Sequence, residues 1–165
     1  MARKAPKKPK KPKTLTIAKI KKLLHDDWSK RVRERDGYTC QLCGRGKTYI
    51  DEDGTEKSSR LSGHHWWRTA HRGGWTRYMI ENGVTLCFTC HNRGVHVDAD
   101  HFTTEQLRRR VQARYRYDVC AWLSGYLMGI TDSECRQLAL SRGLIEKAGN
   151  ALVKVKRKKE VEAAI

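Results

Sequence analysis

Two Cys-x-x-Cys pairs, Cys40-Gln41-Leu42-Cys43 and Cys87-Phe88-Thr89-Cys90, bracket the middle of this 165-residue chain. In each pair the backbone can turn back so that both sulfurs point to one place, and two pairs complete a tetrahedral thiolate site that suits zinc. Four sulfurs leave no open position for water. A structural Zn2+ held by Cys40, Cys43, Cys87 and Cys90 is therefore expected to act as a clasp and not as a catalytic ion. The intervening segment, residues 44–86, is a substantial insertion that such an ion would tie at both ends. A redox pair or an iron–sulfur cluster would use the same residue type, but neither explains the histidines that lie between and beside the pairs. Cys120 and Cys135 fall on predicted helices and read as buried thiols.

Around the clasp the chain divides by composition. Residues 1–13, "MARKAPKKPKKPK", hold all three prolines and no apolar periodicity, which predicts a disordered basic tail. Over 14–37, Ile17, Ile20, Leu24, Trp28 and Val32 recur at steps of three and four, the stripe of an amphipathic helix that Asp36-Gly37 ends. Lys22, Lys30 and Arg33 lie off that stripe, able to touch a phosphate backbone or simply to be solvated. Residues 38–101 read as short strands and turns, with Asp53-Gly54 as a hairpin signal. Residues 102–165 read as helical. Thr103 with Gln106 has capping-box spacing ahead of Leu107, Val111, Tyr115, Val119 and Trp122, and Thr131 with Glu134 opens a second helix. Ile145, Ala148, Leu152 and Val155 suggest a last helix after Gly143, an ordinary helical hairpin more than a helix-turn-helix. The expected fold class is α+β: a small core with a four-cysteine zinc clasp, flanked by N- and C-terminal helices.

Charge restricts the partners. Lys and Arg number 35 against 18 Asp and Glu, a formal +17. An excess of this size favours a polyanion, and nucleic acid leads, with DNA, duplex or branched, as the expected partner. RNA would attract the same charge. No run of about 18 apolar residues is present to span a membrane, and no secretory leader of the basic-then-apolar kind opens the chain. A soluble, intracellular protein is expected.

Five of the seven histidines fall at His64, His65, His71, His91 and His96. Neutral imidazole binds divalent ions and also moves protons near neutral pH. Neighbours on a strand face opposite ways. In "GHHWWR" (63–68) one ring of the doublet can therefore be given to a metal and the other to a water.

Taken with Asn82 in "MIENGVTLC" and His91 directly after "CFTC", the doublet resembles the HNH endonucleases, whose ββα-metal centre is a hairpin followed by a helix. The similarity covers roughly residues 28–98 and extends to small endonucleases of phages and mobile elements. The resemblance implies that His65 is the general base. It implies that His64, His91 and His96 hold one catalytic divalent cation (Mg2+, Mn2+, Ni2+ or Zn2+), and that Asn82 fixes the loop carrying the base. The reaction implied is hydrolysis of DNA phosphodiester bonds, as a nick or a double-strand break, to 5′-phosphate and 3′-hydroxyl ends. The bacterial cytoplasm or a phage-infected cell would be the setting. Many members carry an aspartate before the base; here Gly63-His64 precedes His65, so the base is His65 or, with a shift of one, His64. His91 and His96 are five apart, a poor same-face spacing on a straight helix, so Gly94 would have to bring His96 round, or Asn92 or a water would take its place. Arg68, Arg72 and Arg77 are candidate phosphate clamps, being near the doublet and able to make bidentate bonds, while Trp66, Trp67 and Trp75 read as packing. A single centre per chain suits a nicking monomer or a homodimer making paired cuts. The rival reading is a non-catalytic, zinc-ribbon-like DNA-binding protein, which shares the charge and the cysteines but has no use for the doublet or Asn82.

Overall fold

The computed structural model describes residues 13–67, 74–95, 102–126, 129–148 and 150–155, and these build a mixed α and β structure in two compact units. The division falls inside the first helix: residues 1–23 go with 132–165, and residues 24–131 form the larger unit.

That helix, α1 (Ile17–Arg35), follows the expected stripe: Ile20, Leu24, Trp28 and Val32 are all buried. Burying such side chains stabilises a fold by about 1.5–3 kcal/mol each. The helix ends as the Asp36-Gly37 signal predicts, with Gly37 at φ 59° and the Tyr38 amide donating to the Arg33 carbonyl at 2.8 Å, a left-handed C-terminal closure.

In the larger unit, β1 (Thr48–Ile50) and β2 (Glu56–Ser58) form an antiparallel hairpin whose turn carries Gly54 at φ 77°. A second antiparallel pair, β3 (Leu61–His65) and β4 (Gly83–Cys87), matters more, with His64 opposite Val84 and His65 opposite Gly83. Two short 3-10 turns, Trp75–Tyr78 and Ile80–Asn82, lead into β4, and a short helical segment, Cys90–Val95, follows it.

The two faces of this pair meet different neighbours. Gly63, His65, Gly83 and Thr85 face α1. A methyl group at Gly83 would overlap Val32 Cγ2 and lie 3.0 Å from Trp28 Cζ2, and one at Gly63 would lie 3.0 Å from Ser29 Oγ. Only glycine lets the helix approach this closely. Even-numbered Val84 and Leu86 join Leu107, Val111, Val119 and Leu123 in one buried cluster.

The long helix expected from Thr103 to Trp122 is two: α2 (Phe102–Gln112) and α3 (Val119–Ser124). The break comes at Asp118, whose carboxylate accepts from the Cys120 and Ala121 amides and caps α3. Thr103 lies inside α2 and not ahead of it.

In the smaller unit, α4 (Asp132–Ser141) begins directly after Thr131, and Gly143, at φ 62°, closes it. The expected final helix is instead an antiparallel hairpin, β5 (Ile145–Ala148) and β6 (Ala151–Lys154), so residues 137–154 form no helix-turn-helix. The two intervening residues are Gly149-Asn150, a dipeptide that favours a tight hairpin turn and competes with the helical spacing of Ile145, Ala148 and Leu152. Ile20, Cys135, Ala139 and Ile145 are buried here. Cys120, in the larger unit, is only half-buried, against the core cluster. No described helix is long and apolar enough to cross a membrane. The basic tail at 1–12 and the end of the chain after 155 lie outside the described residues.

Candidate functional site

The cysteine pairs come together as their spacing predicts: the sulfurs of Cys40, Cys43, Cys87 and Cys90 all lie within 4.8 Å of one another. Two elements bring them there. The first pair sits in a tight turn, with the Gly44 amide donating to the Cys40 carbonyl at 2.9 Å and the Cys40 amide to the Arg45 carbonyl at 2.8 Å. The second pair straddles the end of β4, and the Cys90 amide points at Cys87 Sγ at 3.4 Å. The Gln41 amide donates to the Thr85 carbonyl at 2.9 Å and locks the turn to the strand. From α2, Arg110 donates to the Gln41 carbonyl and, at 2.9 Å, to the Leu42 carbonyl. Burial, and then the neighbouring sulfurs, push the Cys90 thiol well above the ordinary range. Four clustered sulfurs are held as thiolates only by a cation, and a closed set of soft donors with no other ligand fits a structural metal such as zinc.

The histidine doublet is split between the two faces of the pair. His64 points to the side of the helical segment, where its ring meets that of His91 edge to face at a centroid distance of 4.9 Å. That separation is compatible with two imidazole nitrogens bound to one ion at about 2.0–2.1 Å each. Among the described residues no third His, Cys, Asp or Glu joins this pair, and the cysteine quartet is the group of three or more such ligands that comes together. His96, the expected third ligand, lies outside the described residues, as do Arg68 and Arg72.

His65 turns the other way. Its ring stacks on Trp28 of α1 at 3.8 Å with planes 6° apart, and His25 lies 5.8 Å off. The Trp28 indole is itself fixed, donating to the Met79 carbonyl at 2.8 Å. His65 Nε2 lies 2.9 Å from the Arg77 carbonyl. A carbonyl only accepts, so Nε2 carries the proton and Nδ1 is the bare nitrogen. Burial lowers the His65 pKa to about 4, so the ring is neutral at ordinary pH.

Asn82 is fully buried and bridges the loops at the open end of the strand pair. Its Nδ2 donates to the Thr76 carbonyl at 3.1 Å, its Oδ1 accepts from the Trp67 amide at 3.2 Å, and its carbonyl accepts from the Trp66 amide at 3.3 Å. The segment just after the doublet is thereby tied to the 3-10 turn that supplies the Arg77 carbonyl. Trp66 packs in the core and donates from its indole to the Glu81 carbonyl at 2.7 Å, while Trp67 packs on the core from outside.

The expected phosphate contacts are mixed. Arg77 is half-buried, and among the described residues its Nε has no hydrogen-bond partner. Arg33 donates to Ser29 Oγ at 2.8 Å, Lys30 pairs with Glu34 at 3.3 Å, and Lys22 is exposed. A buried carboxylate that its residue type alone would not single out also supports the site. Asp36 accepts from the Thr85 amide at 2.7 Å and from Arg35 and Arg114 at 3.0 Å each. The same Arg35 donates to the Ile80 and Gly83 carbonyls at 2.5 and 2.6 Å. This network couples the end of α1 to the middle of β4. Comparison with protein-family models, with curated proteins and with solved structures finds no match to this chain.

Proposed function

We propose that the chain is a metal-dependent endonuclease of the HNH, or ββα-metal, kind that hydrolyses DNA phosphodiester bonds to 5′-phosphate and 3′-hydroxyl ends. The observation that carries the reading is the pairing of His64 and His91, from a strand and from the helical segment that follows its partner strand. On the other face of the strand pair, His65 is held neutral by burial and oriented by the Arg77 carbonyl.

In this reading His64 and His91, with His96, hold one divalent cation. Such an ion stabilises charge on the phosphoryl oxygens and on the leaving 3′ oxygen. His65, with Nε2 committed to Arg77, has Nδ1 left to take a proton from the attacking water. Asn82 holds the carbonyl of Thr76, the residue just before Arg77, so the carbonyl that orients His65 keeps its place. Arg77, whose Nε is buried, would clamp a phosphate through its terminal nitrogens, and the +17 charge supplies affinity for the backbone. If the base is His64 instead, the face shared with His91 carries both metal and proton transfer.

The burial of His65 against Trp28 also favours a second reading, in which it is a packed core histidine of a non-catalytic, zinc-clasped DNA-binding protein. An end-labelled duplex incubated with the zinc-loaded protein and Mg2+ or Mn2+ distinguishes them. The nuclease reading expects products that a DNA ligase rejoins, with His65→Ala lowering the rate by about 10²–10⁴-fold while DNA binding is kept. Binding without cleavage in any divalent ion would support the second reading. Cleavage retained in His65→Ala and lost in His64→Ala moves the base to His64.

A further inference from the structure

A second feature lies away from the histidines, in the larger unit, where "RRRVQARYRYDVCAWLSGY" (108–126) alternates arginine with tyrosine. Its four large aromatics form a continuous surface cluster. Ring centroids run Tyr115 to Tyr117 at 5.4 Å, Tyr117 to Trp122 at 5.9 Å, and Trp122 to Tyr126 at 5.0 Å. Tyr115 and Trp122 are half-buried and anchor the group on the core cluster. Tyr117 and Tyr126 stand out at 44% and 39% exposure. Single exposed tyrosines are ordinary, but four rings in contact, two of them presented outward, form a connected aromatic surface of the kind used for recognition.

The charge around the rings selects the occupant. Arg116 is exposed between Tyr115 and Tyr117 in the chain, Arg114 and Arg35 are in electrostatic reach of Tyr115, and Arg108 and Arg109 are exposed on the preceding helix α2. Asp118, next to Tyr117 in the chain, is engaged as the cap of α3. Glu81 is a carboxylate in electrostatic reach of Tyr115 and Tyr117. Basic side chains interleaved with aromatic faces suit a chain that carries phosphates and flat rings together. Successive rings are tilted by 50°, 60° and 57°, so they offer separate faces and no single flat wall. A base stacked inside a duplex has no free face to meet them. An unpaired base does.

We infer that the Tyr115–Tyr117–Trp122–Tyr126 cluster binds unpaired nucleotides of single-stranded nucleic acid, the bases stacking on Tyr117 and Tyr126 and the phosphates bonding Arg116 between them. The surface does not depend on phosphodiester hydrolysis at the histidines, and its test reads binding alone.

The test is fluorescence anisotropy of the zinc-loaded full-length protein with a labelled oligothymidine and, separately, a duplex of equal length. Tyr117→Leu and Tyr126→Leu keep an apolar side chain beside Trp122 but remove the flat face, and each should weaken single-strand binding about tenfold while leaving duplex binding within about twofold. Tyr117→Phe and Tyr126→Phe should bind like the parent protein. Equal losses on both DNAs, or unchanged single-strand affinity in the double leucine variant, would overturn the inference. So would Phe variants that fail as the Leu variants do.

Discussion

Gly83 shows how much one residue decides. It sits opposite His65 in the strand pair, and its missing side chain lets Val32 and Trp28 of α1 press onto the strand. Gly83→Ala must push the helix away, because the added methyl overlaps a stiff β-branched side chain. Overpacking of this kind costs about 1–3 kcal/mol, so the urea midpoint of the variant should fall with an unchanged slope; an unchanged midpoint would mean that α1 does not pack there. His65, on the same face, makes a second prediction. Its folded pKa of about 4 lies below the ordinary 6.5, so between these values the unfolded chain takes up a proton that the folded chain refuses. The stability that follows from the neutral ring is present above pH 6.5 and is lost as the pH falls toward 4. At most about 3 kcal/mol is involved. Relative to His65→Phe, the parent protein should lose urea resistance over this range, and parallel pH profiles for the two would contradict the burial of the ring. The doublet's contrast was legible from strand alternation alone. Which ring faces which partner was not, because that depends on α1 lying over Gly63 and Gly83.

Among the elements, α1 and the cysteine turns were the most legible, since a stripe from Ile20 to Val32 and two Cys-x-x-Cys pairs each fix one local geometry. The C-terminal elements were less so. Val111, Tyr115 and Val119 keep a helical step through a region where the chain in fact breaks, because Asp118 competes as a cap. Ile145, Ala148 and Leu152 keep helical spacing across what is a hairpin, where Gly149-Asn150 was the overriding signal. The Asp36 network was invisible in sequence, because its partners Thr85 and Arg114 are distant along the chain. Its carboxylate joins the end of α1, β4 and Arg114. Removing one member of a buried charged network costs about 3–5 kcal/mol. Asp36→Ala should therefore lower stability by an amount of that order and loosen the strand carrying Cys87, read as faster hydrogen exchange at the Thr85 amide; protection equal to the parent's would show that the network does not hold the strand.

At the scale of the molecule, the four cysteines join the turn after α1 to the end of β4, which pairs with the strand carrying His64, and to the helical segment carrying His91. A metal bound there contributes its binding energy to folding. Cys87→Ser, or a strong chelator, should lower the thermal midpoint sharply and should abolish DNA cleavage whatever second ion is supplied, whereas His91→Ala should leave the midpoint nearly as it was. Equal thermal stability with and without chelator would remove the clasp from the account.

The central claim is that the His64–His91 pair holds the ion needed for phosphodiester hydrolysis, and relaxation of supercoiled plasmid tests it most directly. The zinc-loaded protein should produce nicked circles or linear DNA when Mg2+, Mn2+ or Ni2+ is added and none under EDTA, and His64→Ala and His91→Ala should each remove that activity while still retarding DNA on a gel. Intact supercoils in every metal, or cleavage that survives both substitutions, would contradict it.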